Sequence, residues 1–270
     1  MVDRRAGGYQ PAIAQFFLSL YQRWDPMFFE TVDPTRVRRM DEILRVLKNR
    51  YRGPIKAIDL GSGPGTLTER VLRRFPKSHV VAVDTDPVLL RVGAESLQRF
   101  SRRTAWVLAD LRKRGWPSEL PIHRFDAAVS SLALHWLEEK EVRALYRDLR
   151  ALLRPGGMLV NGDFLPSSSR KSPGRTTERH RNAERGRANQ RAFRSEWEEW
   201  WGVVGREPSM RPALKERQAR MPGRIPPRRT TGPKIPVSLE AHERALRDAG
   251  FRETAVSWED GGFHVLVGVR

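Results

Sequence analysis

The sequence predicts a doubly wound α/β fold, in which helices cover both faces of a mostly parallel sheet. Between residues 55 and 164, short apolar segments alternate with amphipathic ones. Parallel strands are buried on both faces and need crossover helices between them, so this alternation indicates a parallel sheet. A glycine-rich turn after the first strand and a glycine-linked pair of strands near the end of the chain support the same fold class.

Two helices are predicted before the sheet. The segment Pro11–Trp24 has a helical pattern that is rich in aromatic residues. Apolar residues then recur at spacings of three and four up to about Arg50, and Gly53-Pro54 ends this second amphipathic helix. We interpret residues 1–52 as an N-terminal helical lid.

The central part of the chain supplies most of the sheet. Residues 53–164 and 238–270 are predicted to form one core domain. The expected strands here are Ile55–Leu60, His79–Asp84, Thr104–Asp110, Phe125–Leu134 and Met158–Phe164. The expected helices are Thr66–Phe75, Pro87–Phe100 and Glu139–Leu153, the last of which is stopped by Pro155-Gly156-Gly157.

The alternation of strands and helices stops after residue 164. Residues 165–237 are rich in Ser, Pro, Gly and Arg, contain three tryptophans close together, and show no strand pattern. Because a loop of this length is uncommon inside a compact domain, we expect helices at about Arg187–Val204 and Pro212–Arg220. We interpret this insertion as a basic substrate lid.

Regular structure is expected again at the end of the chain. A helix that begins after Ser238 should end at Gly250-Phe251, where an apolar residue follows a helix-stopping glycine. The strands Thr254–Trp258 and Phe263–Val269 follow, joined by Asp260-Gly261-Gly262. A connection this short forces an antiparallel hairpin.

Composition limits the class of protein. No run of about 18 apolar residues is present, so no membrane span is expected. The interrupted apolar patch near the N-terminus does not fit a signal peptide, and a cytoplasmic location is expected. The chain has no cysteine, which excludes disulfides, thiolate zinc sites and a cysteine nucleophile. We expect no metal site, and the sequence does not indicate an oligomeric state.

The formal net charge of +18 is compatible with nucleic-acid binding. The basic residues comprise 42 arginines and 8 lysines, a bias that a GC-rich genome produces without selection for binding. Residues 164–237 carry 18 basic and 7 acidic side chains, and therefore +11 of the total. Both a solvated, arginine-rich surface and an electrostatic grip on nucleic acid explain this excess, and we favour the former.

The first predicted strand runs into a turn with glycines at alternate positions, Gly61, Gly63 and Gly65. This G-x-G-x-G spacing is tighter than the G-x-G-x-x-G spacing that sets a helix N-terminus against a pyrophosphate. Asp59 precedes the turn, and its carboxylate would repel a pyrophosphate but attract an ammonium group. The turn, which we call the glycine loop (residues 61–65), therefore favours a nucleoside cofactor with a zwitterionic tail. A purely structural strand-to-helix turn is the alternative.

Acidic residues end the first three strands of the core: Asp59, Asp84 and Asp110. Ligands of open α/β sheets bind at this edge. Asp84 is placed to accept hydrogen bonds from both ribose hydroxyls, Asp110 from an adenine amino group, and the N–H of Leu111 would face the ring nitrogen. Asp86 is a rival for the ribose but precedes a proline and fits a helix cap better.

In combination, these elements resemble the class I S-adenosylmethionine-dependent methyltransferases. The matching segments are Asp59-Leu60-Gly61-Ser62-Gly63-Pro64-Gly65, Val83-Asp84, Ala109-Asp110-Leu111, Phe125-Asp126-Ala127-Ala128-Val129 and Leu152-Leu153-Arg154-Pro155-Gly156-Gly157. The resemblance implies a Rossmann-like methyltransferase sheet of seven strands with an antiparallel last strand. It also implies an enzyme that transfers methyl groups, with S-adenosylmethionine as its cofactor. The cofactor-binding residues expected on this basis are Asp59, Gly61, Ser62, Gly63, Gly65, Asp84, Thr85, Asp110, Leu111 and Ser130.

One further segment indicates the branch of this family. Ser130-Ser131-Leu132-Ala133-Leu134-His135-Trp136-Leu137 is similar to the small-molecule branch, which includes trans-aconitate and natural-product methyltransferases. Enzymes that methylate amino groups of bases or glutamine usually carry Asn/Asp-Pro-Pro-Tyr/Phe at this position, and that motif is absent. A small-molecule acceptor, methylated on a hydroxyl or carboxylate oxygen, is therefore expected.

Several side chains are candidates for the substrate side of the site. Tyr21, Trp24 and Trp136 could line the sulfonium by cation–π contact, although packing of the N-terminal helix on the core explains them as well. His135, just past the fourth strand, is the candidate base for a hydroxyl acceptor, because its unperturbed pKa is about 6.5. A histidine satisfied by the backbone is the alternative there. His264, in the last strand, is a second candidate on the substrate side.

Three functions remain open from the sequence alone. The first is a small-molecule methyltransferase, and the second is a nucleic-acid methyltransferase that uses the basic insertion to bind its substrate. The third is a non-catalytic adenosyl-binding module, or a protein that binds a lipid surface through its aromatic N-terminal helix.

Overall fold

The computed structural model describes residues 6–29, 33, 35–167, 176–223 and 236–270. Its centre is one seven-stranded sheet in the order β3-β2-β1-β4-β5-β7-β6. The strands are β1 Lys56–Leu60, β2 His79–Asp84, β3 Thr104–Leu108, β4 Phe125–Ser131, β5 Leu153–Phe164, β6 Glu253–Asp260 and β7 Phe263–Val269. Strand β7 pairs antiparallel with β5 and β6, and the other pairs are parallel. The expected mostly parallel sheet with an antiparallel last strand is confirmed.

Helices pack on both faces of the sheet. One face carries α2 (Arg36–Arg50), α3 (Thr66–Arg74) and α4 (Pro87–Ser96), and the other carries α5 (Glu139–Leu152) and α8 (Leu239–Asp248). Each presents an apolar stripe to the strands. In α5 this stripe includes Val142, Leu145 and Leu149, whose side chains are fully buried. Burial of one such side chain contributes roughly 1.5–3 kcal/mol, so these stripes hold the helices against the sheet.

A third apolar cluster joins α1 (Ala6–Phe29), α6 (Thr176–Arg206) and α7 (Arg211–Arg220) to helix α4. Its buried side chains include Phe17, Trp24, Trp200 and Trp201. The indole Nε1 of Trp200 donates a hydrogen bond of 3.0 Å to the carbonyl oxygen of Leu20. The N-terminal helix and the insertion therefore pack on each other, and we call α1, α6 and α7 together the outer layer.

Strand β4 is shorter than the sequence predicted. It ends at Ser131 and not at Leu134, because Leu132 has a left-handed backbone with φ of 54°. A single 3-10 turn, Leu134–Trp136, follows. A residue other than glycine in the left-handed region costs roughly 1–2 kcal/mol. Contacts with other segments must therefore stabilise the change of chain direction after β4. The N–H of Leu132 donates to the carbonyl oxygen of Gly162 on β5, at 3.0 Å.

Other element boundaries differ by a few residues. Strand β5 starts at Leu153, since the Pro155-Gly156-Gly157 turn forms an irregular part of its pairing with β4. Strand β3 ends at Leu108, which leaves Asp110 in the following loop. In the insertion, α6 begins at Thr176, well before the expected position, and no strand is found in the part of the insertion that the structure describes. None of the helices in the described ranges has the length and apolar character needed to cross a membrane.

A buried ion pair fastens the insertion to the core. Arg217 of α7 donates through Nε to Asp86 Oδ2 at 2.7 Å, and its guanidinium lies 4.8 Å from the ring centroid of Trp201. Asp86 also accepts the N–H of Val88 and so caps α4, as expected. Side-chain exposure is 7 % for Arg217 and 10 % for Asp86. The insertion is thus anchored beside the end of β2.

We expect Arg217→Met to lower the free energy of unfolding by about 3–5 kcal/mol, because it leaves the carboxylate of Asp86 buried without its cation. Chemical denaturation measures the change. Arg220→Met, on an exposed part of the same helix, serves as the control and should stay within roughly 0.5 kcal/mol of the wild type. Equal stability of the two variants would mean that the ion pair does not hold the insertion in place.

Candidate active site at the carboxyl edge of the sheet

The glycine loop lies where the strand order reverses, between β1 and its neighbours β2 and β4. A crevice at this point is the usual ligand site of open α/β sheets. The N–H groups of Gly61 and Ser62 both donate to the carbonyl oxygen of Val83, at 2.8 and 2.9 Å. These bonds hold the turn against β2 as it passes into helix α3.

The three glycines of the loop have positive φ values of 67°, 55° and 86°. A Cβ atom at Gly61 would lie 2.3 Å from Cβ of Ala133, and one at Gly65 would lie 2.5 Å from the ring of Trp106. At Gly63 the nearest atoms belong to Trp24, at 3.8 Å. Both the backbone conformation and the close packing therefore require glycine at the first and third positions.

A cavity of about 80 Å³ adjoins the loop. Its wall comes from the loop, β1, β4, α3, α1 and α2 and consists of Trp24, Phe28, Arg36, Met40, Asp59, Gly61, Ser62, Gly63, Thr66, Leu67, Ser131 and Leu132. Typical ligand pockets measure roughly 300–1,000 Å³. Trp24 and Phe28 are the part of its wall that α1 contributes.

Asp59 lines this cavity at the end of β1. It is 1 % exposed, and its Oδ2 accepts a hydrogen bond of 2.6 Å from the hydroxyl of Thr68. Burial, with a smaller contribution from the neighbouring charge of Asp84, raises the pKa of Asp59 to about 7 against the hydrogen bonds of Thr68. Because its ionised form is disfavoured by burial, the carboxylate of Asp59 would be stabilised by a cationic group of a ligand.

Asp84 lies beside the loop at the end of β2. One carboxylate oxygen accepts the N–H of Gly63 at 2.7 Å, and the other accepts the N–H of Asp86 at 2.9 Å. Burial raises its pKa to about 6, opposed by these N–H groups. Thr85 follows and is half-buried. Asp84 therefore joins the glycine loop to the N-terminal cap of α4. It lies at the end of β2, where the sequence predicted that a ribose would bind.

Asp110 is already engaged by a neighbour that the sequence analysis did not identify. Arg112 donates through Nε and Nη2 to the two oxygens of Asp110, both at 2.8 Å. Burial would raise the pKa of Asp110, but the hydrogen bonds from Arg112 outweigh it and lower the pKa. Leu111 lies between them and is half-buried. Any hydrogen bond from an adenine amino group to Asp110 would have to share this carboxylate with Arg112.

Ser130 and its neighbour have different environments. The hydroxyl of Ser130 donates to the carbonyl oxygen of Leu60 at 2.9 Å and so ties β4 to β1. Ser131 lines the cavity, and its buried hydroxyl has no hydrogen-bond partner among the described residues. The sequence pointed to Ser130 as a site residue, whereas Ser131 and Leu132 are the residues of this segment that line the cavity.

His135 is paired with a buried carboxylate that the sequence did not reveal. Its Nδ1 lies 2.6 Å from Asp163 Oδ1, and its backbone N–H donates to Asp163 Oδ2 at 3.0 Å. Asp163 is fully buried, which alone would raise its pKa. The charge and hydrogen bond of His135 prevail and lower the pKa of Asp163. The expected alternative, a histidine bonded to backbone only, does not describe this contact.

The other substrate-side candidates lie apart from each other. Trp24 lines the cavity, whereas the hydroxyl of Tyr21 hydrogen-bonds Glu69 on α3. Trp136 is 39 % exposed, and its ring lies 4.9 Å from that of His135. His264 is 4 % exposed and contacts the carbonyl oxygen of Gly262 at 3.2 Å. The structure thus brings Trp24 to the loop and Trp136 to His135. Tyr21 and His264 are not part of the cavity wall.

Comparison with known proteins agrees with this geometry. Residues 57–157 match a family described as a methyltransferase domain. This central part of the chain is therefore similar to a methyltransferase domain. Trans-aconitate 2-methyltransferase of Methylobacterium radiotolerans is 34 % identical over 51 % of this chain and 48 % of its own length. Malonyl-[acyl-carrier protein] O-methyltransferase of Halorhodospira halophila is 32 % identical over 47 % of this chain and 41 % of its own length. The chain thus spans about half the length of these curated relatives.

Solved structures show the same fold. An O-methyltransferase family protein from Burkholderia thailandensis superposes with a TM-score of 0.57 at 17 % identity, covering 89 % of this chain and 57 % of that one. Human N-acetylserotonin methyltransferase, in complex with S-adenosylmethionine, superposes with a TM-score of 0.51 at 14 % identity. The match covers 94 % of this chain and 59 % of that one. At these identities the similarity establishes the fold.

The residues at the loop fit the cofactor of this family. The bare backbone at Gly63, where a Cβ atom would meet nothing closer than Trp24 at 3.8 Å, leaves room for a ligand, and Asp59 offers a buried carboxylate to an ammonium group. Asp84 retains lone pairs on both oxygens for ribose hydroxyls. Within the described residues no group of histidine and acidic side chains is arranged to hold a metal ion.

We expect the affinity for S-adenosylhomocysteine to rise roughly tenfold or more from about pH 5.5 to about pH 8. In the free protein the pKa values of Asp59 and Asp84 are about 7 and about 6. A ligand that favours their ionised forms must expel these protons at low pH, so affinity falls as the pH falls. Calorimetric titration across this range measures the effect.

Two variants control the pH experiment. Asp59→Asn should flatten most of the pH dependence, whereas Asp110→Asn should retain it, because the pKa of Asp110 is lowered. The stability of the free protein should change in the opposite direction. Raised carboxyl pKa values mean that the folded state binds more protons than the unfolded state, so stability is lost as the pH rises from about 4 to about 7. Affinity that is constant over the range would contradict a role for Asp59 in binding.

Proposed function

We propose that this protein transfers the methyl group of S-adenosylmethionine to an oxygen atom of a small-molecule acceptor. The observation that carries the proposal is the pair of His135 and buried Asp163 at the same edge of the sheet as the glycine loop. Two relatives, named for trans-aconitate and for malonyl-[acyl-carrier protein], support an oxygen acceptor. A hydroxyl acceptor uses a base, whereas a carboxylate is already ionised at neutral pH.

The bound cofactor supplies an electrophilic methyl group on a sulfonium. The contribution of the chain is to align the acceptor oxygen with that methyl group and to keep water away, and such alignment is worth roughly 7–11 kcal/mol. Asp59, Asp84 and the glycine loop would hold this cofactor, which would give up its methyl group to the acceptor oxygen and leave as S-adenosylhomocysteine. His135 takes the proton of a hydroxyl acceptor, so the oxygen attacks in its deprotonated, more nucleophilic form.

Asp163 acts as the positioning residue for His135. Its two oxygens bind the imidazole Nδ1 and the backbone N–H of the same residue, and it also accepts the N–H of Phe164 at 2.8 Å. This arrangement fixes the ring orientation and stabilises the imidazolium that forms when the proton is taken. Trp136 places an aromatic surface next to the imidazole, where it can contact an apolar part of the acceptor.

The outer layer acts as the lid of the site. Helices α1, α6 and α7 would open together, because α1 and α6 share one aromatic cluster. Trp24 and Phe28 of α1 line the cavity, so a shift of α1 would enlarge it for an adenosyl group. Tyr21 serves this lid by joining α1 to Glu69. Once closed over the bound acceptor, the outer layer would exclude water during methyl transfer.

An acceptor screen tests the proposal. The full chain is incubated with labelled S-adenosylmethionine and, separately, with aromatic alcohols, small di- and tricarboxylates, acyl thioesters, RNA and DNA. We expect S-adenosylhomocysteine release and a mass gain of one CH₂ unit only with a small acceptor. Transfer to RNA or DNA, with binding that weakens steeply as the salt concentration rises, would show that the protein is a nucleic-acid methyltransferase instead. Adenosyl binding without any transfer would favour a non-catalytic module.

A further inference from the structure

Exposed aromatic side chains flank the pair of His135 and Asp163. Two of the three exposed large hydrophobic side chains in the described ranges are Trp136, which is 39 % exposed, and Phe164, which is 36 % exposed. Each directly follows a member of the pair in the chain. The ring of Trp136 lies 4.9 Å from that of His135. Large apolar side chains that stay exposed beside a base offer a surface for the ring of a ligand.

Phe164 is held in place at the end of β5. Its N–H donates to Asp163 Oδ1 at 2.8 Å, and its ring meets that of Phe263 edge-on, with 5.4 Å between the centroids. A Cβ atom at Gly262 would lie 2.9 Å from the Phe164 ring, so the hairpin turn packs closely against this ring. Successive side chains of a strand point to opposite faces, so Phe164 and Asp163 lie on either side of the strand end. A flat molecule that lies over the end of β5 would contact both.

The charges around this edge disfavour an anionic acceptor. The three arginines in the first turn of α2 are each paired with a carboxylate. The pairs are Arg36 with Asp25, Arg38 with Asp260 and Arg39 with Asp33, at 2.8, 2.7 and 2.5 Å. When His135 is neutral and able to act as a base, the pair carries the negative charge of Asp163. That charge would repel a carboxylate, and each of these arginines is already neutralised by a carboxylate of its own.

The base also limits the acidity of the acceptor hydroxyl. Asp163 binds Nδ1 of His135, so the ring takes up a proton at Nε2. An imidazole with its ordinary pKa of about 6.5 accepts a proton far more readily from a phenol, with a pKa of about 10, than from an alcohol with a pKa near that of water, about 15.7. A carboxylic acid, with a pKa of about 4, needs no base at neutral pH. The pair is therefore matched to a hydroxyl on an aromatic ring.

We propose that the acceptor is a phenol, an uncharged planar molecule whose hydroxyl lies at His135 and whose ring lies against Trp136 and Phe164. The assignment rests on the proposed function, because it takes methyl transfer from S-adenosylmethionine to oxygen as the reaction. The hydroxyl proton goes to Nε2 of His135 while the oxygen gains the methyl group, and the electron pair of the broken carbon–sulfur bond stays on sulfur. The products are an aryl methyl ether, S-adenosylhomocysteine and a proton, which the imidazolium releases to water.

Three probes with the same ring system test the acceptor group. The full chain is incubated with labelled S-adenosylmethionine and 2-naphthol, 2-naphthalenemethanol or 2-naphthoate, which present a phenol, an alcohol and a carboxylate. We expect kcat/KM for 2-naphthol to exceed the other two values by about 100-fold or more, the scale of a contribution from general-base catalysis. Faster transfer to 2-naphthoate, or to the small tricarboxylate aconitate, would overturn the assignment.

Binding of 2-naphthol tests the two aromatic side chains without any methyl transfer. Calorimetry on protein loaded with S-adenosylhomocysteine gives its dissociation constant. We expect Trp136→Leu and Phe164→Leu each to weaken binding roughly 3- to 10-fold, the range for loss of an aromatic contact, and Trp136→Phe to weaken it less than Trp136→Leu. Both side chains are more than a third exposed, so these variants should fold, which chemical denaturation checks.

Val37→Ala is the control for the binding experiment. It truncates the third exposed large hydrophobic side chain of the described ranges, on α2, and should leave the dissociation constant of 2-naphthol unchanged. Wild-type affinity in both Trp136→Leu and Phe164→Leu would overturn the placement of the acceptor ring.

The outcomes distinguish this assignment from the proposed function. If methyl groups are transferred to a carboxylate or an aliphatic alcohol in preference to 2-naphthol, the phenol assignment is wrong while the proposed function stands. If protein loaded with S-adenosylhomocysteine does not bind 2-naphthol, the assignment is wrong as well. If the protein does not bind S-adenosylhomocysteine and no small acceptor is methylated, the proposed function fails together with the assignment.

Discussion

Gly61→Ala is expected to abolish measurable binding of S-adenosylhomocysteine and to lower the free energy of unfolding by about 2–5 kcal/mol. The new Cβ atom would lie 2.3 Å from Cβ of Ala133, and the residue would keep a φ of 67°. The left-handed backbone costs roughly 1–2 kcal/mol, and overpacking costs roughly 1–3 kcal/mol. Chemical denaturation and calorimetric titration measure the two effects.

Two further variants separate the causes of this loss. In Gly61→Ala/Ala133→Gly the clash is removed, since the next atom is Cα of Ala133 at 3.7 Å, and only the backbone cost should remain. Gly53→Ala, which meets no atom within 4 Å, should be nearly neutral. If Gly61→Ala were as stable as Gly53→Ala, the tight packing between the loop and the segment after β4 would not be required.

His135→Ala is expected to lower kcat for a hydroxyl acceptor roughly 10²- to 10⁴-fold, the usual contribution of a general base. The affinity for S-adenosylhomocysteine should stay within about twofold of the wild type. Asp163→Asn should lower kcat through the loss of ring orientation and imidazolium stabilisation. Steady-state kinetics over a pH range, with the acceptor found in the screen, measure these effects.

His123→Ala is the control for these kinetics, because His123 is an exposed histidine outside the site. It should leave kcat unchanged at every pH. Turnover by His135→Ala that equals the wild type across the pH range would remove the base from the mechanism. An acceptor oxygen that is already ionised would then be the one consistent with the site.

The strand pattern was sufficient for the fold because each strand is locally apolar and bounded by turn residues. Strand β1 and its loop, Ile58 to Gly65, were placed correctly from sequence, and so was the hairpin at Gly261-Gly262. The error at the end of β4 has a physical cause. The segment after Ser131 is as apolar as the strand itself, but it turns away at Leu132, whose N–H is bound by a carbonyl on β5.

The candidate site was predicted in part. Asp59 and the glycine loop are close in sequence and share one turn, so a local motif identifies them. Asp163 and Arg36 were missed, because each becomes meaningful through a partner far away in the chain. Asp163 lies 28 residues from His135, and Arg36 lies 30 residues from Thr66. The single available signal for Asp163 was an acidic residue near the carboxyl end of a predicted strand.

The sequence by itself determined the α/β sheet, the loop with three glycines and the similarity of residues 57–157 to a methyltransferase domain, because these depend on periodicity and on residues that are neighbours in sequence. Only the tertiary structure decided how the outer layer packs, which carboxylate holds His135 and which cation lines the cavity together with Asp59. Those contacts join α1, α2, β4 and β5 across the carboxyl edge of the sheet. Burial and pairing at that edge set the charge states of the site, and neither can be read from local spacing.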